Sequence, residues 1–223
     1  IPKGLVGSEM CIRDRVKLYL SLLISTAFIT YLTLYYSNNI YDEMIVDSVF
    51  QAVSIGTTSG FLTSNYSNWP LFVPIMLLIA AFIGACAGST GGGIKVIRAL
   101  ILLRQGSSEI TKLIHPNAVV TIKFGKKSLD PRVSESVWGF FAVYVATFLI
   151  ILMFLLSQNM DFLSAFSAVG ATLNNLGPGL GIVAENYMNI SDSSKVVLCM
   201  AMLLGRLEIF TLLLLFTPAF WRN

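Results

Sequence analysis

The sequence predicts an all-α, polytopic membrane protein made of two repeats, each consisting of a helix, a pore loop and a second helix. Hydrophobic residues make up 55% of the 223 residues and charged residues only 12%, with a mean hydropathy of +0.75. Such values are typical of integral membrane proteins rather than soluble domains. One pattern also occurs twice: a long apolar span, a short apolar segment, a glycine-centred polar loop and another long apolar span.

Four apolar spans are long enough to cross a bilayer, which takes about 17–25 helical residues. Three of them carry no charge, whereas the last contains Arg206 and Glu208. The spans are Leu18–Tyr36, Trp69–Ile94, Val137–Leu156 and Val196–Trp221. Their number predicts a multi-pass protein.

A shorter apolar segment precedes each polar loop, over Ile45–Ile55 and Phe162–Leu173. As helices these segments would rise only about 16–18 Å, too little for a hydrocarbon core about 30 Å thick. They are therefore predicted to enter the membrane and turn back. Non-helical backbone at that depth is tolerated only where protein or a water-filled cavity surrounds it. Asp161 is predicted to cap the second segment.

The basic residues are concentrated on one side of the predicted membrane. Eight Lys and Arg lie between Lys95 and Arg132, against Glu109, Asp130 and the nearby Glu135, and the positive-inside rule makes this stretch cytoplasmic. A net charge of +3 so placed argues against a nucleic-acid binder.

Residues 1–15 resemble a translated sequencing-adapter remnant, so we expect the native chain to begin further upstream. The predicted units are a non-native leader (1–15), a first repeat (16–104), a cytoplasmic connector (105–130) and a second repeat (131–223).

The connector is predicted to hold little regular structure. A helical turn over Ser108–Ile114 should end at His115, followed by a small hairpin with Gly125-Lys126 at its turn. The third long helix is expected to begin at Pro131, with Asp130 as its cap.

The two repeats also match in sequence. Four residues of the first short segment recur 116 positions later: Ser48, Phe50, Ala52 and Val53 match Ser164, Phe166, Ala168 and Val169. The match slips by one residue at the glycines, Gly60 against Gly177. One such unit cannot complete a pore alone, so two units form half a pore if four are needed.

The polar loops are predicted to present backbone carbonyls to a cation. Glycine reaches the φ and ψ values that aim successive carbonyls at one axis, where they replace the water around an ion. The candidate filter residues are Thr57, Thr58, Ser59 and Gly60 in the first loop and Asn174, Asn175, Leu176 and Gly177 in the second. An ordinary extracellular turn is the alternative, but glycine loops at equivalent positions of both repeats favour a filter.

Glycines also cluster inside the second span, from Gly84 to Gly93. A phosphate-binding loop is excluded because Ile94 and Lys95 follow, where that motif needs Lys and then Ser or Thr. Glycines four residues apart would suit close helix packing. Three consecutive glycines nevertheless disfavour a continuous helix, since each costs about 1 kcal/mol relative to alanine.

Arg206 lies within the fourth span, where an arginine costs at least about 2.5–3.5 kcal/mol on insertion scales. It is therefore expected to face protein or water rather than lipid. Glu208 is the nearest structural partner, but residues two apart on a helix do not face each other. An Arg206–Glu208 pair would need a distortion at Gly205.

Four sequence runs closely resemble the TrkH-type subunit of the Trk/Ktr/HKT cation-transporter superfamily. They are Gly56–Phe61, Cys86–Lys95, Leu173–Gly181 and Gly205–Ile209. The resemblance covers essentially everything after the leader. That family builds a pseudo-fourfold, potassium-channel-like pore from four repeats in one chain, so this chain resembles the third and fourth repeats.

The resemblance implies potassium uptake across the bacterial inner membrane. It implies that K⁺ is held at Thr58, Ser59, Asn175 and Leu176. The second loop has Asn175-Leu176 where a potassium-channel filter has Val-Gly, so strict channel-grade selectivity is not implied. A glycine-rich gate below the filter is implied at Gly88, Ser89, Thr90, Gly91, Gly92 and Gly93, and an electrostatic barrier at Arg206.

The implied partners are a second copy of the full-length subunit and a cytoplasmic nucleotide-binding regulatory protein of the TrkA type. This chain is expected to need no cofactor, with K⁺ as the transported ion. The alternative is a non-conducting membrane interaction module that docks a cytoplasmic partner. No nucleophile and base fall together in the sequence, so we do not expect an enzyme, and His115 is interpreted as a loop residue.

Overall fold

The computed structural model of the chain describes residues 9–37, 43–84, 91–115, 123–124, 127–128 and 131–207. These residues are helical apart from turns and one short antiparallel ladder between β1 (Lys123–Phe124) and β2 (Lys127–Ser128). The α-helices are α1 (Glu9–Tyr36), α2 (Met44–Gly56), α3 (Phe72–Ile83), α4 (Val96–Ile114), α5 (Pro131–Ser157), α6 (Phe162–Leu173) and α7 (Asp192–Arg206). Short 3₁₀ turns cover Tyr66–Asn68 and Gly181–Val183.

The predicted arrangement of two repeats is confirmed. Among the described residues, two helices are long and apolar enough to cross a membrane, Val16–Tyr36 within α1 and Arg132–Ser157 within α5. Each is followed by a short apolar helix, α2 of 13 residues and α6 of 12 residues, at the two predicted short segments. α1 begins at Glu9, inside the stretch predicted as a leader, and residues 1–8 lie outside the described part.

The second predicted span, Trp69–Ile94, is not one continuous helix. α3 ends at Ile83, because Gly84 adopts a φ of +67°, which stops the helix and is accessible to glycine. The chain then returns towards α3. The Ile94 N–H donates to the Phe82 carbonyl at 3.0 Å, so Ile94 lies beside the end of α3; the glycine-containing stretch between the two residues is called the excursion below.

The stretch after this excursion contains more helix than the sequence predicted. The turn expected over Ser108–Ile114 is the end of the 19-residue helix α4, which stops at His115 as predicted. The helix persists because Ile97 and Ile101 pack against Val137 of α5. β1 and β2 pair on either side of the predicted hairpin turn.

The fourth predicted span is described only as far as residue 207. Its described part forms α7, which starts behind Ser191 as N-cap and ends at Arg206.

The two short helices differ in how completely they are buried. α6 packs against α5 and α7 and also against α3 of the first repeat. The contact with α3 is close: a Cβ placed on Gly170 would lie 3.1 Å from the Phe82 ring. α2 packs against α1 and α3 and leaves an apolar face uncovered: Ile45, Val46, Val49, Phe50 and Val53 are exposed. The first short helix therefore has a free face that lacks a neighbour within the described chain.

One hydrophobic core joins the two repeats. Leu176 and Leu180 of the second polar loop pack into the core of the first repeat, together with Ile55, Tyr66 and Leu77. Burial of this shared apolar surface fixes the two polar loops relative to each other.

Candidate ion-filter site

Each polar loop begins with the same turn of backbone. Three successive N–H groups after each short helix donate back into its last turn. In the first loop these bonds are Thr57 to Val53 at 2.9 Å, Thr58 to Ile55 at 3.0 Å and Ser59 to Ser54 at 2.8 Å. In the second they are Asn174 to Gly170 at 3.1 Å, Asn175 to Thr172 at 3.1 Å and Leu176 to Ala171 at 2.8 Å. Equivalent loop residues are thus 117 positions apart, whereas the matching residues inside the short helices are 116 apart. The offset therefore changes by one residue before the short helices end.

Left-handed backbone occurs at matching positions of the two loops. Thr58 has φ +57° and Asn175 has φ +54°, and two residues later Gly60 and Gly177 have φ +78° and +104°. A left-handed conformation costs a non-glycine residue roughly 1–2 kcal/mol, and it persists only where the surrounding structure imposes it. The same strain at both positions shows that the two loops follow one backbone design.

The backbone carbonyls expected to bind K⁺ accept no hydrogen bonds from the described residues. Within the part of the chain that the structure describes, no hydrogen bond is made to the carbonyl oxygens of Thr58, Ser59, Asn175 or Leu176. Four unpaired carbonyls on two equivalent loops are therefore available as oxygen ligands.

The carbonyls beyond these positions are held by two tyrosines. The Tyr187 hydroxyl donates to the Gly177 carbonyl at 2.8 Å, and the Tyr66 hydroxyl donates to the Gly179 carbonyl, also at 2.8 Å. Burial raises the pKa of Tyr187 to about 12, so this donor keeps its proton at physiological pH. Gly177, predicted as a filter residue, thus directs its carbonyl to a side chain.

Sequence reasoning missed both tyrosines. Each is the only tyrosine within a dozen residues after its polar loop, and a buried tyrosine needs a partner for its hydroxyl. That signal marks the residues, but it does not identify the acceptor carbonyls.

Buried polar side chains of the short helices anchor the segments that leave the loops. Gln51 donates through Nε2 to the Ser64 carbonyl at 3.0 Å, and the Ser54 hydroxyl donates to the Phe61 carbonyl at 2.6 Å. In the second repeat, the Ser167 hydroxyl accepts from the Leu180 N–H at 2.8 Å. These bonds hold the extended backbone alongside each short helix.

The two loops contact each other directly. A Cβ placed on Gly60 would overlap the carbonyl oxygen of Leu176 and lie 3.3 Å from Cδ of Pro178. Only a glycine allows this approach, and its φ of +78° is a conformation that other residues adopt only at a cost in free energy. The two polar loops therefore pack directly against each other.

The predicted gate segment contacts the second polar loop at Asn174. A Cβ on Gly92 would overlap the backbone of Asn174, and a Cβ on Gly84 would lie 2.6 Å from the Gly92 carbonyl oxygen. Gly91, Gly92 and Gly93 are thus close to the filter loop. Gly88, Ser89 and Thr90 lie outside the described residues.

Asn174 links this segment to the long helix α5. The residue is fully buried, and its Oδ1 accepts a hydrogen bond from the Tyr144 hydroxyl at 2.8 Å. Its Nδ2 has no hydrogen-bond partner among the described residues. Tyr144 was not identified from the sequence. A tyrosine within an apolar span gives no sign of its hydrogen-bond partner, which here lies 30 positions later.

Arg206 ends α7, next to a glycine that touches the filter. A Cβ on Gly205 would overlap the Leu173 carbonyl and lie 2.9 Å from Nδ2 of Asn175. Arg206 itself is exposed. Its suggested structural partner, Glu208, lies outside the described residues.

Within the described residues, no three His, Cys, Asp or Glu side chains cluster as a divalent metal site would require. The chemistry of the site is that of neutral backbone oxygens, which suit a weakly hydrated monovalent cation.

Comparison with known proteins identifies the family. The model of the family described as TrkH, a cation transport protein, matches residues 20–223. The chain belongs to this family. The all-helical membrane fold with two pore-loop repeats is accordingly that of the TrkH family, and its relatives are transporters.

Several relatives are close in sequence. The Trk system potassium uptake proteins TrkH of Salmonella typhimurium and Escherichia coli K12 are 52% and 51% identical over 189 residues, covering 83% of this chain and 39% of each relative. TrkH of Vibrio parahaemolyticus is 57% identical over 176 residues, covering 79% of this chain and 36% of the relative.

A solved structure matches the fold. The crystal structure of the potassium transporter TrkH from Vibrio parahaemolyticus superposes with a TM-score of 0.86 at 47% sequence identity, covering 99% of this chain and 47% of that one. The chain therefore spans less than half the length of these relatives.

Proposed function

We propose that this chain provides two of the walls of a potassium uptake pathway. The observation that carries the proposal is the pair of equivalent loops whose carbonyls at Thr58, Ser59, Asn175 and Leu176 accept no hydrogen bond in the described structure. Carbonyl oxygens replace the hydration shell of K⁺ at low cost when their positions are fixed beforehand. The relatives named as potassium uptake proteins support K⁺ as the ion.

The glycine-rich segment Gly88–Gly93 acts as the gate in this proposal. Support comes from Gly92, which lies against the backbone of Asn174, the first candidate filter residue of the second loop. A segment in that position occupies space on the inner side of the filter and must move for ions to pass.

Arg206 acts as an electrostatic barrier on the same side. Gly205 brings the end of α7 against Leu173 and Asn175, so the guanidinium is carried on a residue adjacent to the filter. A fixed positive charge near a pore raises the free energy of a cation there, by an amount that depends on the local dielectric.

The uncovered face of α2 supports a pore of four repeats. α6 packs against α3 of the preceding repeat, whereas α2 has exposed apolar residues on the corresponding side. A helix with a bare apolar face at membrane depth fits a site that another repeat covers. The complete subunit would supply that neighbour.

The further assignments follow the family. We place the protein in the bacterial inner membrane as a multi-pass subunit that forms homodimers and binds a cytoplasmic nucleotide-binding regulator of the TrkA type. The basic residues between Lys95 and Arg132 form the cytoplasmic surface in this orientation. Not all of these charges are free for docking, because Arg98 lies over the Phe140 ring at 4.0 Å.

Growth of a bacterium that lacks its own potassium uptake systems tests the proposal. Residues 20–223 would replace the matching part of the Vibrio parahaemolyticus relative, giving a protein that we call the chimera. The chimera should restore growth at low K⁺, and Gly177→Ser should abolish it at equal membrane expression. Gly106→Ser is the matched control, since a Cβ meets nothing within 4 Å at either glycine and only Gly177 has a positive φ, +104°.

Rescue that survives Gly177→Ser would contradict the filter assignment. No rescue by the unsubstituted chimera, with the Vibrio protein active beside it, would favour a non-conducting interaction module.

A further inference from the structure

A pocket of about 190 Å³ lies on the seam between the two repeats, outside the filter. Its lining comes from the end of α3, the residue after the glycine segment, α5 and α6. The lining residues are Phe82, Ile94, Phe141, Tyr144, Val145, Phe148 and Phe166. All of these side chains are apolar except for the Tyr144 hydroxyl, and that hydroxyl is engaged by Asn174.

The walls of the pocket are rigid aromatic rings. The Phe82 ring lies 5.6 Å from the Phe148 ring and 6.3 Å from the Phe166 ring, between ring centroids. The Phe148 and Phe166 centroids are 5.2 Å apart in an edge-to-face arrangement. Each of the three rings packs against the other two, so the cavity does not close by simple rotation of one ring.

The pocket lies at the middle of the membrane-spanning helix. Tyr144 is the central residue of the 27-residue helix α5, and Phe141 and Phe148 lie about one turn to either side of it. Val145 at the mouth is 36% exposed, and Leu149, Ile150 and Met153 beyond it are more exposed still. At that depth an exposed apolar side chain that no other part of the protein covers is surrounded by hydrocarbon.

Water is a poor occupant for this space. A buried water needs two to four polar partners, and the lining offers no free one. Apolar cavities of about 150 Å³ stay dry and bind benzene-sized molecules. A lipid acyl chain is the apolar molecule available at the middle of a bilayer.

We infer that the seam pocket binds a lipid acyl chain, inserted from the membrane past Val145 towards Phe82 and Phe166. The chain end would lie against Phe82 and Ile94, which close the glycine excursion through their backbone hydrogen bond. It would also lie against the ring of Tyr144, which holds Asn174.

Photolabelling in bilayers tests this assignment. The chimera would be reconstituted with a phospholipid that carries a diazirine at the end of one acyl chain, irradiated, digested and mapped by mass spectrometry. Adducts on Phe82 and Phe166 are expected, since these partly buried rings belong to α3 and α6 rather than to the lipid-exposed stripe of α5. Val145→Trp, which fills the mouth, should reduce those adducts at least about tenfold.

Leu149→Trp is the matched control, because Leu149 lies one turn further along α5 and does not line the pocket. Its labelling should equal that of the unsubstituted chimera. Adducts confined to the exposed stripe of α5, with Phe82 and Phe166 unlabelled in the unsubstituted chimera, would overturn the inference. Adducts on both rings that persist undiminished in a folded Val145→Trp protein would overturn it too. The labelling needs no ion conduction, so its outcome is separate from that of the proposed transport.

Discussion

At the scale of single residues, the site is made by backbone and braced by side chains. Thr58 and Asn175 accept a left-handed conformation that costs free energy, and the glycines two positions later continue the turn. Tyrosine hydroxyls then fix the carbonyls that follow. In the proposed filter, the residues that would present carbonyls to an ion therefore differ from the residues whose side chains brace the loop.

Removal of one bracing hydroxyl should loosen the second loop. Tyr187→Phe deletes the bond to the Gly177 carbonyl, a net loss of about 0.5–1.5 kcal/mol, and leaves a glycine with φ +104° less constrained. We expect the ratio of rubidium to sodium uptake by chimera proteoliposomes to fall. Tyr35→Phe, at an exposed position on α1, is the control. An unchanged ratio in both variants would show that Tyr187 does not position the filter.

The cap of the second short helix gives a pH-dependent prediction. Asp161 Oδ2 accepts from the Ser164 N–H at 3.0 Å. Partial burial raises the pKa of the Asp161 carboxyl, but its hydrogen bonds with Ser164 and neighbouring backbone lower that pKa by more, to below its ordinary value. The stabilisation is therefore present above the unfolded-state pKa and is lost as pH falls through the folded-state pKa.

Replacement of this carboxylate tests the cap. Asp161→Ala should lower the stability of the detergent-solubilised chimera by about 0.5–2 kcal/mol at neutral pH, and Asp161→Asn, which keeps an acceptor oxygen, by less. Thermal unfolding at neutral pH and at about pH 3 measures the effect. The gap between Asp and Asn should shrink on acidification, and a gap that widens would be evidence against the assigned sign.

At the scale of elements, glycines set how closely the helices and the excursion approach the filter. Gly84 ends α3, Gly92 lies on Asn174, and Gly205 brings α7 onto Leu173. Each contact is made to backbone rather than to a flexible side chain, so an added methyl group cannot be absorbed by a rotamer change. The filter is consequently enclosed by segments whose positions depend on the absence of a side chain.

Displacement of the glycine segment should therefore change ion flow. Gly92→Ala would drive a methyl group into the backbone of Asn174, which is fully buried and held by Tyr144. The glycine segment is the part able to yield, so we expect potassium flux through chimera proteoliposomes without regulator to rise several-fold. Gly106→Ala supplies the comparison, because its Cβ meets no atom. Equal flux in the two variants would argue against a gate at this segment.

At the scale of the whole molecule, local signals were enough to predict the two repeats but not the contacts between them. Apolar length predicted α2 and α6, and glycine position predicted the loops. The glycine cluster also predicted that the helix within Trp69–Ile94 would be interrupted, but not that it ends before Gly84, because hydropathy does not register the φ of that residue. α4 ran longer than predicted because its packing on α5 is a tertiary effect.

The contacts that complete the site join residues far apart in the chain. Tyr66 reaches Gly179 across 113 positions, and Tyr144 reaches Asn174 across 30. No periodicity in one sequence encodes such pairs. The shared core that brings Leu176 against the first repeat likewise arises only on folding.

The central claim is that a monovalent cation is held by carbonyls of the two loops. The most direct test is a crystal structure of the chimera grown with Tl⁺ in place of K⁺, with anomalous difference density computed around the filter. Density within coordinating distance of the Thr58, Ser59, Asn175 and Leu176 carbonyls, lost in Gly177→Ser crystals, is the predicted result. Filter loops with no anomalous density at high Tl⁺ occupancy elsewhere, or density held only by side chains, would contradict it.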